Sequence, residues 1–292
     1  MTDTESKQKL NAASKSIGAN VFLISLKTFA AVITGSIGII AELIHSSLDF
    51  LASILAYLGI KKASEPADKY HHYGHERFET FSALIQTILI LVTSAVIIYE
   101  AAGRIFHPLE VSMGVIGIIV ILITIVVDLL VARYLHRQSK KYGSAALEAD
   151  AYHFSTDLMT SIAVAIGLIF ATLGFPIADA LAAMIVSVIM IYIAIKIGKS
   201  STSVLLDESP PEETMNKISE IINMTPEVLG YHSLRARHSG KKYLVDVSVH
   251  LRTSISLSEA HRISQKIEER VKKEIPEIRE IVVHTEPEEE HE

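Results

Sequence analysis

Most of this chain between residues 13 and 202 consists of apolar runs long enough to cross a bilayer, and two of them carry nearly the same polar trio. About 20 helical residues span a hydrocarbon core of roughly 30 Å. Six segments reach that length: approximately 13–33, 37–60, 78–103, 112–135, 145–172 and 177–201. The second holds Glu42-x-x-His45-x-x-x-Asp49 and the fifth Asp150-x-x-His153-x-x-x-Asp157. Spacings of three and four put each trio on one helical face. Ionisable groups in lipid are costly unless they are paired or hold a ligand, so these are read as functional. His45, Asp49, His153 and Asp157 offer two imidazole nitrogens and two carboxylate oxygens, a set suited to tetrahedral Zn²⁺. Mg²⁺, Ca²⁺ and Mn²⁺ prefer more oxygen donors. Glu42 and Asp150 lie on the same stripes nearer the helix ends, either guiding cations in or simply solvated.

Composition narrows the chemistry. There is no cysteine, so a transition metal must be held by the 13 histidines and the 33 Asp and Glu residues. A net charge of −6 with no large basic patch argues against nucleic-acid binding. The start, MTDTESKQKLNAASKS, lacks the basic, apolar and small-residue regions of a signal peptide, so the first apolar segment is expected to remain as a span.

Basic residues orient the spans. Lys61, Lys62, Lys69 and Arg77 fall in 61–77, and Arg133, Arg137, Lys140 and Lys141 in 133–141. The opposite connections, around 34–36, 104–111 and 173–176, offer only Arg104. The positive-inside rule then places both termini in the cytoplasm of a cell-membrane protein. Helices two and five would run in opposite directions with both His–Asp pairs near mid-bilayer, a hint of inverted three-plus-three repeats. Asp128, the single charge from Val111 to Ala132, needs a polar partner on a neighbouring helix, with Lys27 or Asn20 available.

The expected fold class is therefore an α-helical membrane protein with six transmembrane helices and a small α+β, ferredoxin-like cytoplasmic domain. The divisions are 1–12 (cytoplasmic segment), 13–202 (transmembrane), 208–286 (α+β) and 287–292 (acidic disordered tail). Ser209-Pro210-Pro211 has the look of an N-cap opening a helix, and 230–238 with 242–251 form a hairpin around Ser239-Gly240-Lys241. Ser256-x-x-Glu259 is a capping box before a second helix, and Ile278 to Thr285 forms a strand. Asp68-x-x-His71-x-x-x-His75, with His72 adjoining, lies in the connection after the second span and can bind a metal weakly or be a solvated loop. His232, His250, His261, His284 and Glu286 are candidates in the last domain, where periodicity alone does not show that they converge.

These motifs resemble the cation diffusion facilitator family over nearly the whole chain, particularly its bacterial zinc and iron efflux proteins. The resemblance rests on H45-SSL-D49, H153-FST-D157, D68-KYH71-HYGH75 and V282-V-H284-T-E286-P. It implies zinc export by proton antiport in a homodimer with alternating access, and a transporter rather than an enzyme. His45, Asp49, His153 and Asp157 would form the transport site, and Asp68, His71 and His75 a second one. His232, His261, His284, Glu286 and perhaps His250 would form a regulatory cytoplasmic site at the dimer interface. Arg77 and Asp207 match a pair that relatives join across the dimer. Glu286 stands where an Asp is usual, which alters the geometry of that site. An iron or manganese exporter and a non-transporting metal sensor are the alternatives; an intramembrane zinc protease is disfavoured, since no H-E-x-x-H occurs.

Many bacterial relatives carry Asp at the position of His45 and accept cadmium too. His45→Asp is accordingly expected to broaden transport to Cd²⁺ in a metal-panel flux assay. Unchanged selectivity would refute that account of the residue.

Overall fold

The computed structural model describes residues 3–34, 37–106, 115–172, 177–240 and 242–288. The side chains of Glu42, His45 and Arg104 lie outside the described residues, as do most of the connections 34–36, 104–111 and 173–176. The chain divides into two compact units, Met1–Thr202 and Ser203–Glu292.

The first unit is built from long helices: α1 (Asp3–Thr34), α2 (Ile37–Ala63), α3 (Arg77–Phe106), α4 (Val115–Tyr142), α5 (Ala145–Thr172) and α6 (Ile177–Leu205). Four meet the length and apolarity of a membrane span among the described residues, within α1, α3, α4 and α6. Six spans were expected from the sequence. α2 and α5 include stretches whose side chains lie outside the described residues; among those described, Ser46, Asp49, Ser53, Asp150, His153 and Thr156 are turned into the helix packing, where all six are buried. Elsewhere the unit presents apolar side chains outward, such as Ile88, Val92, Leu122, Leu130, Ile185 and Val188. A surface of that extent suits lipid.

α1 begins ten residues before the apolar run that marks it in the sequence. The extra turns pack inward: Ala12 and Ala13 are fully buried, and Lys9 Nζ pairs with Glu79 Oε2 of α3 at 2.9 Å. α2 and α3 approach closely at Gly59, where a Cβ would overlap Ser82, and Ser82 Oγ donates to the Leu55 carbonyl at 2.6 Å. α6 lies against α3 through Ile90, Met190 and Ala194.

A buried polar seam ties α1, α2 and α5. Ser53 Oγ donates to Asp150 Oδ1 at 2.8 Å and lies 2.7 Å from Ser16 Oγ, while Asn20 Nδ2 donates to Ser53 Oγ at 2.8 Å. Ser53 thus meets Asp150, and Asp49 meets His153, so α2 and α5 run antiparallel.

In the second unit the order is α7 (Glu212–Asn223), β1 (Gly230–Ser239), β2 (Lys242–Leu251), α8 (Leu257–Glu274) and β3 (Ile278–Pro287). β2 is central, antiparallel to β1 and parallel to β3. Ile218, Ile221 and Ile222 of α7 and Ile263, Ile267 and Val271 of α8 bury Val245, Val247, Val249 and Ile281 of the sheet. Both helices therefore cover one face, and the alternate residues of the strands are left on the other. The hairpin turns at Gly240, whose φ of 60° suits glycine; Lys241 lies outside the described residues.

Three local expectations shift. The N-cap of α7 is Pro211 rather than Ser209, with no side-chain cap hydrogen bond. Ser256 does cap α8, its Oγ accepting from Glu259 N at 3.2 Å, but Glu259 turns to Arg262 at 2.7 Å. β3 continues to Pro287, paired with Leu251, two residues past the expected end at Thr285; 289–292 lie outside the described residues.

Because Ser53 serves three buried partners, Ser53→Ala is expected to lower stability by about 1–3 kcal/mol. Thermal unfolding in detergent checks this against Ser14→Ala, at an exposed position of α1. Equal melting of the two variants would contradict a structural role for the seam.

Candidate functional site

Within the first unit α2 and α5 bring Asp49, His153 and Asp157 together. One donor atom from each lies within 4.8 Å of the others, spacing that a single ion can bridge. His153 Nε2 is 2.9 Å from Asp49 Oδ1, and both side chains are almost wholly buried. A contact of that length between an imidazole nitrogen and a carboxylate oxygen holds a proton between them. Asp49 sits one turn from Ser46 and one from Ser53, and His153 and Asp157 are likewise a turn apart. The helical repeat therefore aims each set at the facing helix. His45, the fourth ligand expected from the sequence, falls on α2 with its side chain outside the described residues.

Asp49 and Asp157 also line a small, partly open cavity that Lys27, Thr124 and Asp128 border. Lys27 Nζ donates to Ser46 Oγ at 2.7 Å. Ser46, Ser53 and Thr124 escaped the sequence reading. Their signal was present, since Ser46 and Ser53 extend the His45–Asp49 stripe at spacings of three and four.

A second cluster occupies the connection between α2 and α3. Asp68, His71 and His75 place donor atoms within 4.8 Å of one another. Asp68 Oδ1 accepts from the backbone N–H groups of Tyr70 at 2.8 Å and His71 at 2.7 Å, an Asx turn that closes the loop on itself. Those two donors hold the Asp68 carboxyl below the usual carboxylate range. His75 is buried, with Nδ1 3.0 Å from the Pro66 carbonyl. A carbonyl only accepts, so Nδ1 carries a proton, and Nε2 faces Asp68 Oδ2 3.4 Å away. His72 is exposed and outside this group.

The third cluster lies on the helix-free face of the sheet. His250 is in register with Glu286, and His232 sits diagonally across β1 with its ring 5.1 Å from that of His250. His232 Nε2 is 2.9 Å from Glu286 Oε2, and its Nδ1 is 2.9 Å from Ser233 Oγ. A β-bulge follows His232, with Ser233 at φ 53°. His284 joins through Glu286 Oε1, at 3.4 Å. His261 is exposed on α8 and is not part of the group. Asp207 has Arg237 Nη1 3.6 Å away within the second unit.

Two family models match in tandem: the cation efflux transmembrane domain over residues 15–206 and the cation efflux protein cytoplasmic domain over 210–288. The cation-efflux pump FieF of Shewanella oneidensis is 32% identical over 94% of this chain and 93% of its own. That of Pectobacterium atrosepticum is 30% identical over 94% of this chain and 92% of its own. Among solved structures, the metal-bound C-terminal domain of the CzcD transporter from Thermotoga maritima is 25% identical, with a TM-score of 0.27, over 27% of this chain and 93% of that one. The protein thus belongs to the cation diffusion facilitator family of cation efflux transporters, membrane proteins that move metal cations and are not enzymes.

Proposed function

We propose that this transporter exports zinc from the cytoplasm in exchange for protons, by alternating access around Asp49, His153, Asp157 and His45. The observation that carries this reading is the convergence of three buried donors from α2 and α5 inside an otherwise apolar helical unit. A mixed nitrogen and oxygen set suits Zn²⁺. The Asp49–His153 contact supports the exchange: an ion that takes both donor atoms must move the proton off the shared position, and from an imidazolium that proton leaves the pair. In this scheme α1 to α6 all cross the membrane, both termini are cytoplasmic, and 208–286 joins two copies as a homodimer.

Asp68, His71 and His75 form a second site that receives zinc from the cytoplasm. His232, His250, His284 and Glu286 bind regulatory zinc, with His261 contributed at the dimer interface. One observation favours an iron or manganese exporter instead: Asp128 adds a third carboxylate to the cavity, and these ions prefer oxygen.

The central test is flux in proteoliposomes under an imposed pH gradient. Asp157→Ala is expected to abolish zinc-driven proton movement while the protein stays folded and monodisperse; wild-type flux would remove the site. Competition among Zn²⁺, Mn²⁺ and Fe²⁺ in the same vesicles decides the metal.

At the loop, Asp68→Asn keeps an oxygen for the Tyr70 and His71 amides but loses the anionic ligand. Zinc titration is expected to lose one site in Asp68→Asn and Asp68→Ala alike, with the loop becoming protease-sensitive only in the alanine variant. Because the Asp68 carboxyl is lowered, its stabilising contribution is complete above the ordinary carboxylate range and fades as pH falls through the depressed value. Loop protection should therefore persist at pH 5. Loss of protection already at that pH would contradict the turn's role.

A further inference from the structure

The cavity beside Asp49 and Asp157 contains two charged residues to which neither the family match nor the transport site assigns a role: Lys27 of α1 and Asp128 of α4. Both are almost completely buried, at 6% and 1% exposure. Charges at such positions interact strongly with any ion nearby, since little water screens them.

Formal charge is informative here. Asp49, Asp128 and Asp157 against Lys27 leave two negative charges among the described residues lining the cavity, the amount that one divalent cation neutralises. Without Asp128 the same cavity would keep only one, because the ammonium would offset half the charge that Asp49 and Asp157 present to the incoming cation. Lys27 is held in place by its hydrogen bond to Ser46, one turn before Asp49 on α2. Thr124, one turn before Asp128 on α4, faces the same cavity. Thr124 is 3% exposed, and its buried hydroxyl has no hydrogen-bond partner among the described residues, so it is available to a cation or its water.

We propose that Asp128 is a positioning residue for divalent transport. Its carboxylate offsets the Lys27 ammonium, so that the full charge of Asp49 and Asp157 remains for the ion. Lys27 in turn keeps the empty cavity from holding three uncompensated carboxylates and eases release of the bound cation. This rests on the proposed transport site.

The test is Zn²⁺ flux by the full-length protein in proteoliposomes, with KM and maximal rate measured separately and folding checked by gel filtration. Asp128→Asn is expected to raise KM by on the order of tenfold or more, given the strength of buried charge interactions. Lys27→Met should lower both KM and maximal rate, because a more negative cavity binds the ion tightly and releases it slowly. The double variant Lys27→Met/Asp128→Asn restores the charge balance and should return KM close to wild type, as should Asp128→Glu alone. A merely structural pair would not give opposite single effects and a rescued double. If Asp128→Asn misfolds, the Lys27→Met shift and the double variant still decide. A wild-type KM in Asp128→Asn, or a double variant no better than Asp128→Asn, overturns the inference if Asp157→Ala is inactive. An active Asp157→Ala overturns the transport site beneath it.

Discussion

The physical constraint behind this molecule is that ionisable groups placed among apolar helices must find their partners on other helices. Helices in lipid gain little from burying apolar surface against one another, so polar contacts and close backbone approach select which neighbours pack. α2 shows the consequence. Ser46 meets Lys27 of α1, Asp49 meets His153 of α5, and Ser53 meets both helices. A one-residue shift of α2 would break all three contacts together, and with them the cluster at Asp49, His153 and Asp157. The seam that fixes the helices is continuous with the residues proposed to hold the cargo. Gly59 and Ser82 serve the same end by another route, letting α2 and α3 approach where a side chain would hold them apart.

What the sequence made legible is local pattern. The long helices, the hairpin and the Ser256 cap each follow from periodicity or turn chemistry within a few residues. The sheet order did not follow: β3 lies parallel to β2 after α8, but a helical connection alone leaves β3 free to pair with either strand of the hairpin. Long-range choices were hidden. Periodicity puts Asp49 on one face of α2 but does not choose its partner, and the contact with His153 belongs to the packing of two helices. Asp128 had Lys27 and Asn20 as candidates; both line its cavity, yet Lys27 also turns to Ser46 and Asn20 to Ser53. The early start of α1 was hidden because Lys9 looks solvated until Glu79 of α3 is placed beside it. At His232 the bulge and the left-handed Ser233 bring the ring toward Glu286, and no residue in the hairpin announces that bulge.

The three clusters differ in what a metal must displace. At Asp49–His153 and at His232–Glu286, an imidazole nitrogen and a carboxylate oxygen stand 2.9 Å apart and share a proton. A cation entering either pair breaks that hydrogen bond and displaces the proton from the ligating nitrogen. At the loop the arrangement differs. The Nδ1 proton of His75 is committed to the Pro66 carbonyl, which aims Nε2 at Asp68.

This distinction maps onto the roles proposed for each place. A site that exchanges a metal for protons needs its ligands to hold protons when no metal is bound, so that the two cargoes exclude each other at the same atoms. A receiving loop gains instead from donors that are already oriented, so that capture is not slowed by their rearrangement. The Asx turn and the Pro66 contact supply that orientation at little entropic cost, because backbone groups a few residues away make both. On the sheet, the His232–Glu286 pair is half-exposed, so the exchange there is open to water. Of these two pairs, Asp49–His153 is the one closed off by helices, where the proposed exchange has the enclosure that coupling to a change in the open side requires.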